Sequence, residues 1–299
     1  MISRRETIQL TAAAGLAAAV PSLASAQTKL KHQVFLGDGN AFHRTPVLIE
    51  GEKALVLIDG TFNYGHGETV QKAIKKTGKQ LTVAYITIND PDYYFGNKPI
   101  VAANPNVKVL AAQSTVDKIG QNVDAKLATW SPVLKAYGPA TKADLTIPTP
   151  TASTAINLEG NTLEIRNAPG LGDRGRYIYV PSLNAVFGGC LVFSGTHVWT
   201  ADTGTVELRK AWMDALDAII AMKPAILVPG HMTAGAPQGV AAAEYTKKYL
   251  VDFEDAVTKG KDAKEVIAIM TKAYPKTAAD TAVFLDYGAK VAKGEMKWG

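Results

Sequence analysis

Four side chains capable of acid–base, nucleophilic or metal-binding chemistry stand at the ends of apolar segments. Asp90 and Asp92 flank Pro91, shortly after residues 82–88, which are rich in β-branched side chains. Cys190 is the only cysteine of the sequence, and His231 follows a Pro-Gly pair. A carboxylate can act as a general base, a thiolate can attack a carbonyl carbon, and an imidazole can accept the proton. These residues are therefore candidates for a site that acts on a small molecule.

Three of these residues also have purely structural explanations. Asp92 can cap the turn that follows it, because Asp is favoured where a strand meets the start of a helix. Cys190 lies among apolar neighbours and can be a buried small hydrophobic residue, as free cysteines usually are. His231 can hydrogen-bond a loop. Local context alone leaves both interpretations open for each residue.

The elements that position these residues alternate between strands and helices. Short apolar segments predict strands at residues 33–36, 45–49, 54–58, 82–88, 107–111, 155–158, 162–166, 177–180, 185–187 and 225–228. Apolar residues at helical spacing predict helices at residues 68–76, from about 114, at 126–137, at 206–222 and over most of the remainder. Residues 139–154 read as a connector. The strand–helix–strand order indicates a βαβ unit and a partly parallel sheet.

The first 26 residues predict an export signal rather than part of the fold. Arg4 and Arg5 precede the uncharged, apolar residues 10–20, and Ala24 and Ala26 are small residues at the positions that a signal peptidase reads. This arrangement is typical of a twin-arginine signal. The segment is shorter than the roughly 20 apolar residues that span a bilayer. We expect a periplasmic or otherwise exported chain in which residues 27–299 form one domain.

Composition narrows the range of partners. The formal net charge of +5 is dispersed among acidic residues, which disfavours nucleic-acid binding. No further segment is apolar enough to predict a membrane span. With one cysteine, the chain cannot form an internal disulfide, and an unpaired thiol in an oxidising compartment must be buried or bound. A small-molecule substrate or ligand is therefore the expected partner.

The order of four motifs resembles the metallo-β-lactamase superfamily. Residues 86–96 read Ile-Thr-Ile-Asn-Asp-Pro-Asp-Tyr-Tyr-Phe-Gly, similar to the strand end and Pro-Asp core of its histidine motif. Residues 55–60 resemble the strand and Asp-Gly turn before that motif. Residues 187–191 resemble the strand end with a cysteine ligand, and residues 228–231 the final histidine turn. The resemblance implies an α/β (α+β) fold, a four-layer αββα sandwich with two facing sheets and helices outside.

The resemblance also implies that the metal site has been rewritten. Four positions that carry histidines in the family hold other residues here: Ile88, Asp90, Tyr93 and Leu171. Isoleucine and leucine side chains cannot bind a metal ion. The ligand set that the resemblance leaves is Asp92, Cys190 and His231, which can hold one zinc ion with a fourth position for water.

Two functions of different classes follow from these residues. The first is a hydrolase that uses one zinc ion on an ester, lactone, thioester or amide. In it Asp90 acts as general base or joins the metal shell, and Tyr93 either assists an oxyanion or fills the volume of the lost histidine and zinc. A metal-free version would use Cys190 as nucleophile, His231 as base and Asp92 to orient it. The second function is a metal-free small-molecule-binding or accessory protein.

Several further residues bear on the pocket. Phe193 takes the position where zinc β-lactamases often place a lysine, which predicts an apolar pocket suited to an uncharged substrate. His66 is expected on a surface loop near the mouth of the site. His197 lies in a segment that resembles the one after the cysteine strand in divergent members, and Trp199 is expected in the core or the pocket wall.

Overall fold

A six-stranded sheet occupies the first half of the chain. The computed structural model describes residues 28–298, so the predicted export signal at residues 1–26 lies outside the described residues. The strands, in sheet order, are β1 (Lys31–Val34), β2 (Val47–Glu50), β3 (Ala54–Ile58), β4 (Gln80–Ile86), β5 (Lys108–Ala112) and β6 (Thr149–Thr151). The first three strands pair antiparallel and the last four pair parallel. Strand β6 lies in the segment that we predicted to be a connector.

A second sheet of five strands packs against the first. Its strands are β7 (Ala155–Leu158), β8 (Asn161–Asn167), β9 (Arg176–Val180), β10 (Ala185–Phe187) and β12 (Ile226–Leu227), in the order β12-β10-β9-β8-β7. A two-stranded parallel pair joins β11 (Phe193–Ser194) to β13 (His231–Met232). Strands β3, β7 and β10 have the predicted bounds, and the other predicted strands are shifted by one or two residues at their ends.

Seven α-helices of the described chain cover the two sheets. They are α1 (Tyr64–Thr77), α2 (Lys98–Ala103), α3 (Gln113–Leu134), α4 (Val206–Ala221), α5 (Val240–Lys259), α6 (Ala263–Ala273) and α7 (Ala282–Ala292). Helix α3 runs unbroken through the two helical segments that we predicted separately. Helix α1 begins four residues before the predicted start, because Asn63 caps it by accepting a hydrogen bond from the His66 N–H at 2.9 Å.

Alternation along the strands divides the interior into two cores. Val56 and Ile58 of β3 pack with residues of the second sheet such as Ile178, and none of the described residues of that cluster belongs to an α-helix. Leu55 and Leu57, which alternate with them, belong to the cluster shared with the helices. One core therefore lies between the sheets and the other between sheets and helices, which confirms the predicted αββα sandwich.

Asp59 ties the two sheets together where their strands end. Its backbone adopts a positive φ of 58°, and its Oδ1 accepts hydrogen bonds from the Thr87 N–H at 2.8 Å and the Thr87 hydroxyl at 2.7 Å. Its Oδ2 accepts the Gly189 N–H at 2.9 Å. The loops after β3, β4 and β10 are thereby held at one edge, where ligand sites of open α/β sheets lie.

Candidate active site

The turn formed by Asp90, Pro91 and Asp92 follows β4 at this edge. Pro91 begins a short 3-10 helix that ends at Tyr93, a position for which the fixed φ of proline is suited. The Tyr93 N–H donates to the Asp90 carbonyl at 3.0 Å. Both aspartates line the same cavity.

The Asp90 carboxylate is held between two cations. Arg174 Nη1 donates to Oδ2 at 2.8 Å, and Lys126 Nζ donates to Oδ1 at 3.2 Å. Arg174 also pairs with Asp202, at 2.9 Å. Burial alone would raise the pKa of Asp90, but the two cations outweigh it and hold the pKa well below its usual range. Asp90 is therefore ionised at neutral pH, with both oxygens occupied by donors.

Asp92 lies in a different environment two residues later. Its Oδ2 is 3.4 Å from His231 Nε2 and 3.7 Å from Arg44 Nε. This oxygen is buried and makes no hydrogen bond to another described residue. Burial raises the pKa of Asp92 to about 7, against the opposing effect of the Arg44 charge. The carboxyl group can therefore take up or release a proton near neutral pH.

His231 faces Asp92 with its unprotonated nitrogen. Its Nδ1 lies 2.7 Å from the Phe42 carbonyl oxygen, which can only accept a hydrogen bond, so Nδ1 carries the proton. Burial, reinforced by the charge of Arg44, lowers the pKa of His231 to about 3, which keeps the ring neutral. The Phe193 ring stacks on the imidazole with centroids 4.8 Å apart and fixes its plane. Nε2 is therefore a hydrogen-bond acceptor beside Asp92.

Arg44 places a permanent positive charge beneath this pair. Its side chain is fully buried, and its Nη2 lies 3.4 Å from Asp59 Oδ2. The guanidinium carbon lies 3.6 Å from the centre of the Tyr93 ring, and Nη1 donates to the Gly230 carbonyl. A planar guanidinium suits such a site, because it offers several donors and stacks on aromatic rings. The protein itself thus supplies the cation beside Asp59 and Asp92.

Cys190 and Tyr93 are buried, and the polar group of each is bonded to a backbone carbonyl. The buried Cys190 thiol donates to the Arg174 carbonyl at 3.7 Å, and burial raises the pKa of this thiol to about 12. The Tyr93 hydroxyl donates to the Gly189 carbonyl at 2.9 Å.

The residues present do not fit a zinc ion. Within residues 28–298, no three His, Cys, Asp or Glu side chains gather closely enough to hold a metal. Asp92 and His231 lie together, but they do not form with Cys190 the ligand group that the resemblance implied. The Arg44 guanidinium already provides positive charge next to Asp92, and a second cation there would be repelled.

A cavity opens above Asp92 and His231. Its empty volume is about 560 Å³, open solvent at the mouth included. Five polar residues line it: Asp90, Asp92, Lys126, Arg174 and His231. The remaining lining residues are apolar and mostly aromatic: Phe42, Phe62, Pro91, Trp130, Phe193, Trp199, Val283, Phe284 and Trp298. We call the five polar residues the floor of the cavity and its aromatic residues the wall.

Comparison with known proteins agrees with this fold. A sequence model described as the metallo-beta-lactamase superfamily matches residues 39–231, from the loop before Arg44 to the cavity histidine. This chain belongs to the metallo-β-lactamase superfamily. A solved structure, "Metallo-beta-lactamase from Pontibacter korlensis", is similar at a TM-score of 0.52 and 20% identity, over 70% of this chain and 87% of that chain. That likeness shows the fold alone. No curated protein sequence matches this chain.

Superfamily membership makes this a hydrolase-like protein, in a family that usually binds zinc. The recognition, fold and hydrolase-like character predicted from the sequence are thus confirmed, whereas activity itself is a matter for experiment. Across residues 28–298, none of the helices combines the length and hydrophobicity needed to cross a bilayer.

The metallo-β-lactamase resemblance did not point to three charged residues of this site. From the sequence alone, Lys126 and Arg174 resemble ordinary surface residues. Lys126 lies on α3 and Arg174 in a short 3-10 helix, and neither has its partner Asp90 nearby in the sequence. Arg44 gives one usable signal: it stands directly before the apolar residues 45–49. An arginine that leads into a buried strand must be paired with an anion.

His66 and His197 are both buried. The prediction that His66 lies on a surface loop was wrong, because the Asn63 cap draws it into the first turn of α1, where 9% of it is exposed. It lines a neighbouring groove and not the cavity above Asp92. His197 is also buried, with its ring bonded to Tyr249 and Thr277. Trp199 lines the cavity, as predicted for a pocket wall.

Proposed function

We propose that this protein hydrolyses an uncharged ester, lactone or thioester, with the Asp92–His231 pair activating water and without a zinc ion. The observation that carries the proposal is the 3.4 Å contact between Asp92 Oδ2 and His231 Nε2 at the floor of the cavity, with Arg44 beneath it. When Asp92 is ionised, its Oδ2 and the Nε2 atom of His231 are both acceptors, and a molecule that donates to both satisfies them. Water does so, and its oxygen is then free to attack.

The proposed reaction needs no group beyond these residues. Water donates one hydrogen bond to ionised Asp92 and one to His231, and attacks the carbonyl carbon of the substrate. Its proton passes to Asp92 as the carbonyl oxygen becomes an oxyanion. When the tetrahedral species collapses, the alcohol or thiol leaves with the proton from Asp92. The products are a carboxylic acid and that alcohol or thiol.

Lys126 is the donor available to the oxyanion. An ammonium group has three N–H donors. Lys126 directs two of its N–H donors to other groups: one to the Asn89 carbonyl at 3.1 Å and one to the Asp90 carboxylate at 3.2 Å. The third remains for a substrate oxygen in the cavity that Lys126 lines. A donor held in place before the reaction stabilises developing charge without reorganisation.

Charge balance at the floor supports a neutral substrate. The cations Lys126 and Arg174 are paired with the carboxylates of Asp90 and Asp202. No surplus positive charge therefore lines the cavity to hold an anionic substrate. The apolar wall, in which Phe193 stacks on His231, also favours a neutral substrate.

A second candidate is a small-molecule-binding protein without turnover. The observation that favours it is the predominance of apolar side chains around the cavity, since such pockets commonly hold ligands. It differs from the first candidate in one measurable respect. A bound ester would be recovered intact.

The test combines elemental analysis with a hydrolysis assay on the full chain, purified without chelator or metal-affinity resin. We expect less than about one-tenth zinc per chain, hydrolysis of neutral esters that survives chelation, and retained activity in Cys190→Ala. About one zinc per chain, lost together with activity in Cys190→Ala, would overturn the metal-free mechanism in favour of the Asp92, Cys190 and His231 set. Binding without hydrolysis across esters, lactones and thioesters would favour the second candidate.

A further inference from the structure

Asp202 contacts three donors that line the cavity: Trp199, Trp298 and Arg174. Its carboxylate accepts hydrogen bonds from the indole N–H of Trp199 and, at 3.1 Å, from the indole N–H of Trp298. It also pairs with Arg174 at 2.9 Å. One side chain thus fixes two large aromatic rings relative to the charged floor.

The two indoles form part of a continuous aromatic wall. Trp199 and Trp298 meet edge to face with centroids 5.3 Å apart, and Trp199 meets Phe284 in the same way at 5.5 Å. Phe284 in turn packs against the His231 ring, at 5.8 Å. Rings that touch in series lead from Trp298 at the rim to the floor histidine. A planar group on a substrate would lie against this wall.

Trp298 is held in this position by contacts of the residues just before it. Lys293 Nζ donates to the Gly260 carbonyl at 2.8 Å, and Glu295 accepts the Ala263 N–H at 2.7 Å. These contacts attach the segment after α7 to the turn between α5 and α6. The segment therefore positions the Trp298 ring over the cavity before any ligand binds.

We propose that Trp298 is a specificity-determining residue, which with Trp199 and under the control of Asp202 selects a substrate carrying a flat, uncharged aromatic ring next to its carbonyl group. The part of this proposal that concerns the carbonyl group rests on the proposed hydrolase function. The part that concerns binding of the ring does not. A flat ring is favoured because aromatic faces stack on the indoles. A charged ring is disfavoured because Arg174 and Asp202 already neutralise each other.

The test measures binding by calorimetry, with probes that cannot be hydrolysed. The probes are 2-acetonaphthone, which is flat and neutral, cyclohexyl methyl ketone, which is not flat, and 2-naphthoate, which is anionic. We expect the full chain to bind 2-acetonaphthone most tightly. Trp298→Ala should weaken that binding about tenfold, and Trp298→Phe should weaken it less, because it keeps a ring and loses the bond to Asp202. Tyr137→Ala is the matched control, since Tyr137 is exposed and does not line this cavity.

Two results would overturn the inference: equal affinity for the three probes, or binding of 2-acetonaphthone that Trp298→Ala leaves unchanged. A hydrolysis assay distinguishes failure of the ring-binding inference from failure of the proposed hydrolase function. Trp298→Ala should raise KM for methyl 2-naphthoate with little change in kcat, and leave methyl cyclohexanecarboxylate unaffected. If no ester is turned over but the calorimetric preference is lost in Trp298→Ala, the ring site stands and only the hydrolase proposal fails.

Discussion

The guanidinium carbon of Arg44 lies 3.6 Å from the centre of the Tyr93 ring, at a separation typical of a cation over an aromatic face. Tyr93 occupies a position where the resemblance to the superfamily leads one to expect a histidine. The two residues therefore act as one unit: the tyrosine provides a surface on which the arginine stacks, and the arginine provides charge beside Asp59 and Asp92. Arg44, which lies outside the histidine motif, thus stacks on the residue that replaces one of its histidines.

Arg44→Met should destabilise the protein by about 3–5 kcal/mol, because it leaves the buried carboxylate of Asp59 without its cation. Urea denaturation measures this change. Tyr93→Phe is the comparison: it keeps the ring under Arg44 and removes the bond to Gly189, at a cost of about 1–3 kcal/mol. A loss below 1 kcal/mol in Arg44→Met would show that the guanidinium is not the counter-charge of this site.

Asp92→Asn should lower kcat for a neutral ester by roughly 10²- to 10⁴-fold, because the amide cannot accept the proton of the attacking water. Circular dichroism and the melting temperature should show that the variant is folded. Asp217→Asn, which changes an exposed aspartate that pairs with Lys247, is the control and should keep full activity. Full activity in Asp92→Asn would remove Asp92 from the mechanism.

The thiol of Cys190 should resist a water-soluble disulfide reagent in the native protein and react fully in urea. Burial and the raised pKa, about 12, leave almost no accessible thiolate at pH 8. The assay is simple to interpret because the chain has one cysteine. Rapid, stoichiometric labelling of the native chain would contradict this placement and revive its role as a nucleophile.

Much of the fold followed from the sequence because apolar alternation is a local signal. Strands β3, β7 and β10 were predicted to the residue, and α4 to within one residue at its C-terminal end. The start of α1 was missed because Gly65 and Gly67 read as a loop. Gly67 is in fact needed for close packing, since a Cβ there would lie 2.1 Å from the Gly96 carbonyl oxygen.

The candidate site was harder to predict, because its defining contacts join distant parts of the chain. Asp92 and His231 were identified by motif, and they do lie together. Arg44 is 48 residues from Asp92 in sequence, and no local pattern links the two. The residue types at the family's histidine positions showed that zinc ligands were missing. Only the three-dimensional contacts show that Arg44 supplies a positive charge beside Asp59 and Asp92.

Acidification should destabilise the protein partly through His197. Tyr249 and Thr277 enclose its ring, and burial lowers its pKa to about 4, from 6.5. Between these values the unfolded chain binds a proton that the folded chain refuses, so the free energy of unfolding falls as pH drops from 6.5 towards 4. His197→Asn should reduce this slope by up to about 1.4 kcal/mol per pH unit, measured by urea denaturation at several pH values. An unchanged slope would contradict the pKa assignment.

The stacked Arg44 also restricts the substitutions that could convert this scaffold to one with a zinc site. Tyr93→His, one of the changes that a zinc site needs, would take away the ring on which the guanidinium stacks. Removing Arg44 first would leave Asp59 unpaired and the fold weakened. Either change alone removes a contact of this buried site, so the substitutions at positions 44 and 93 would have to occur together.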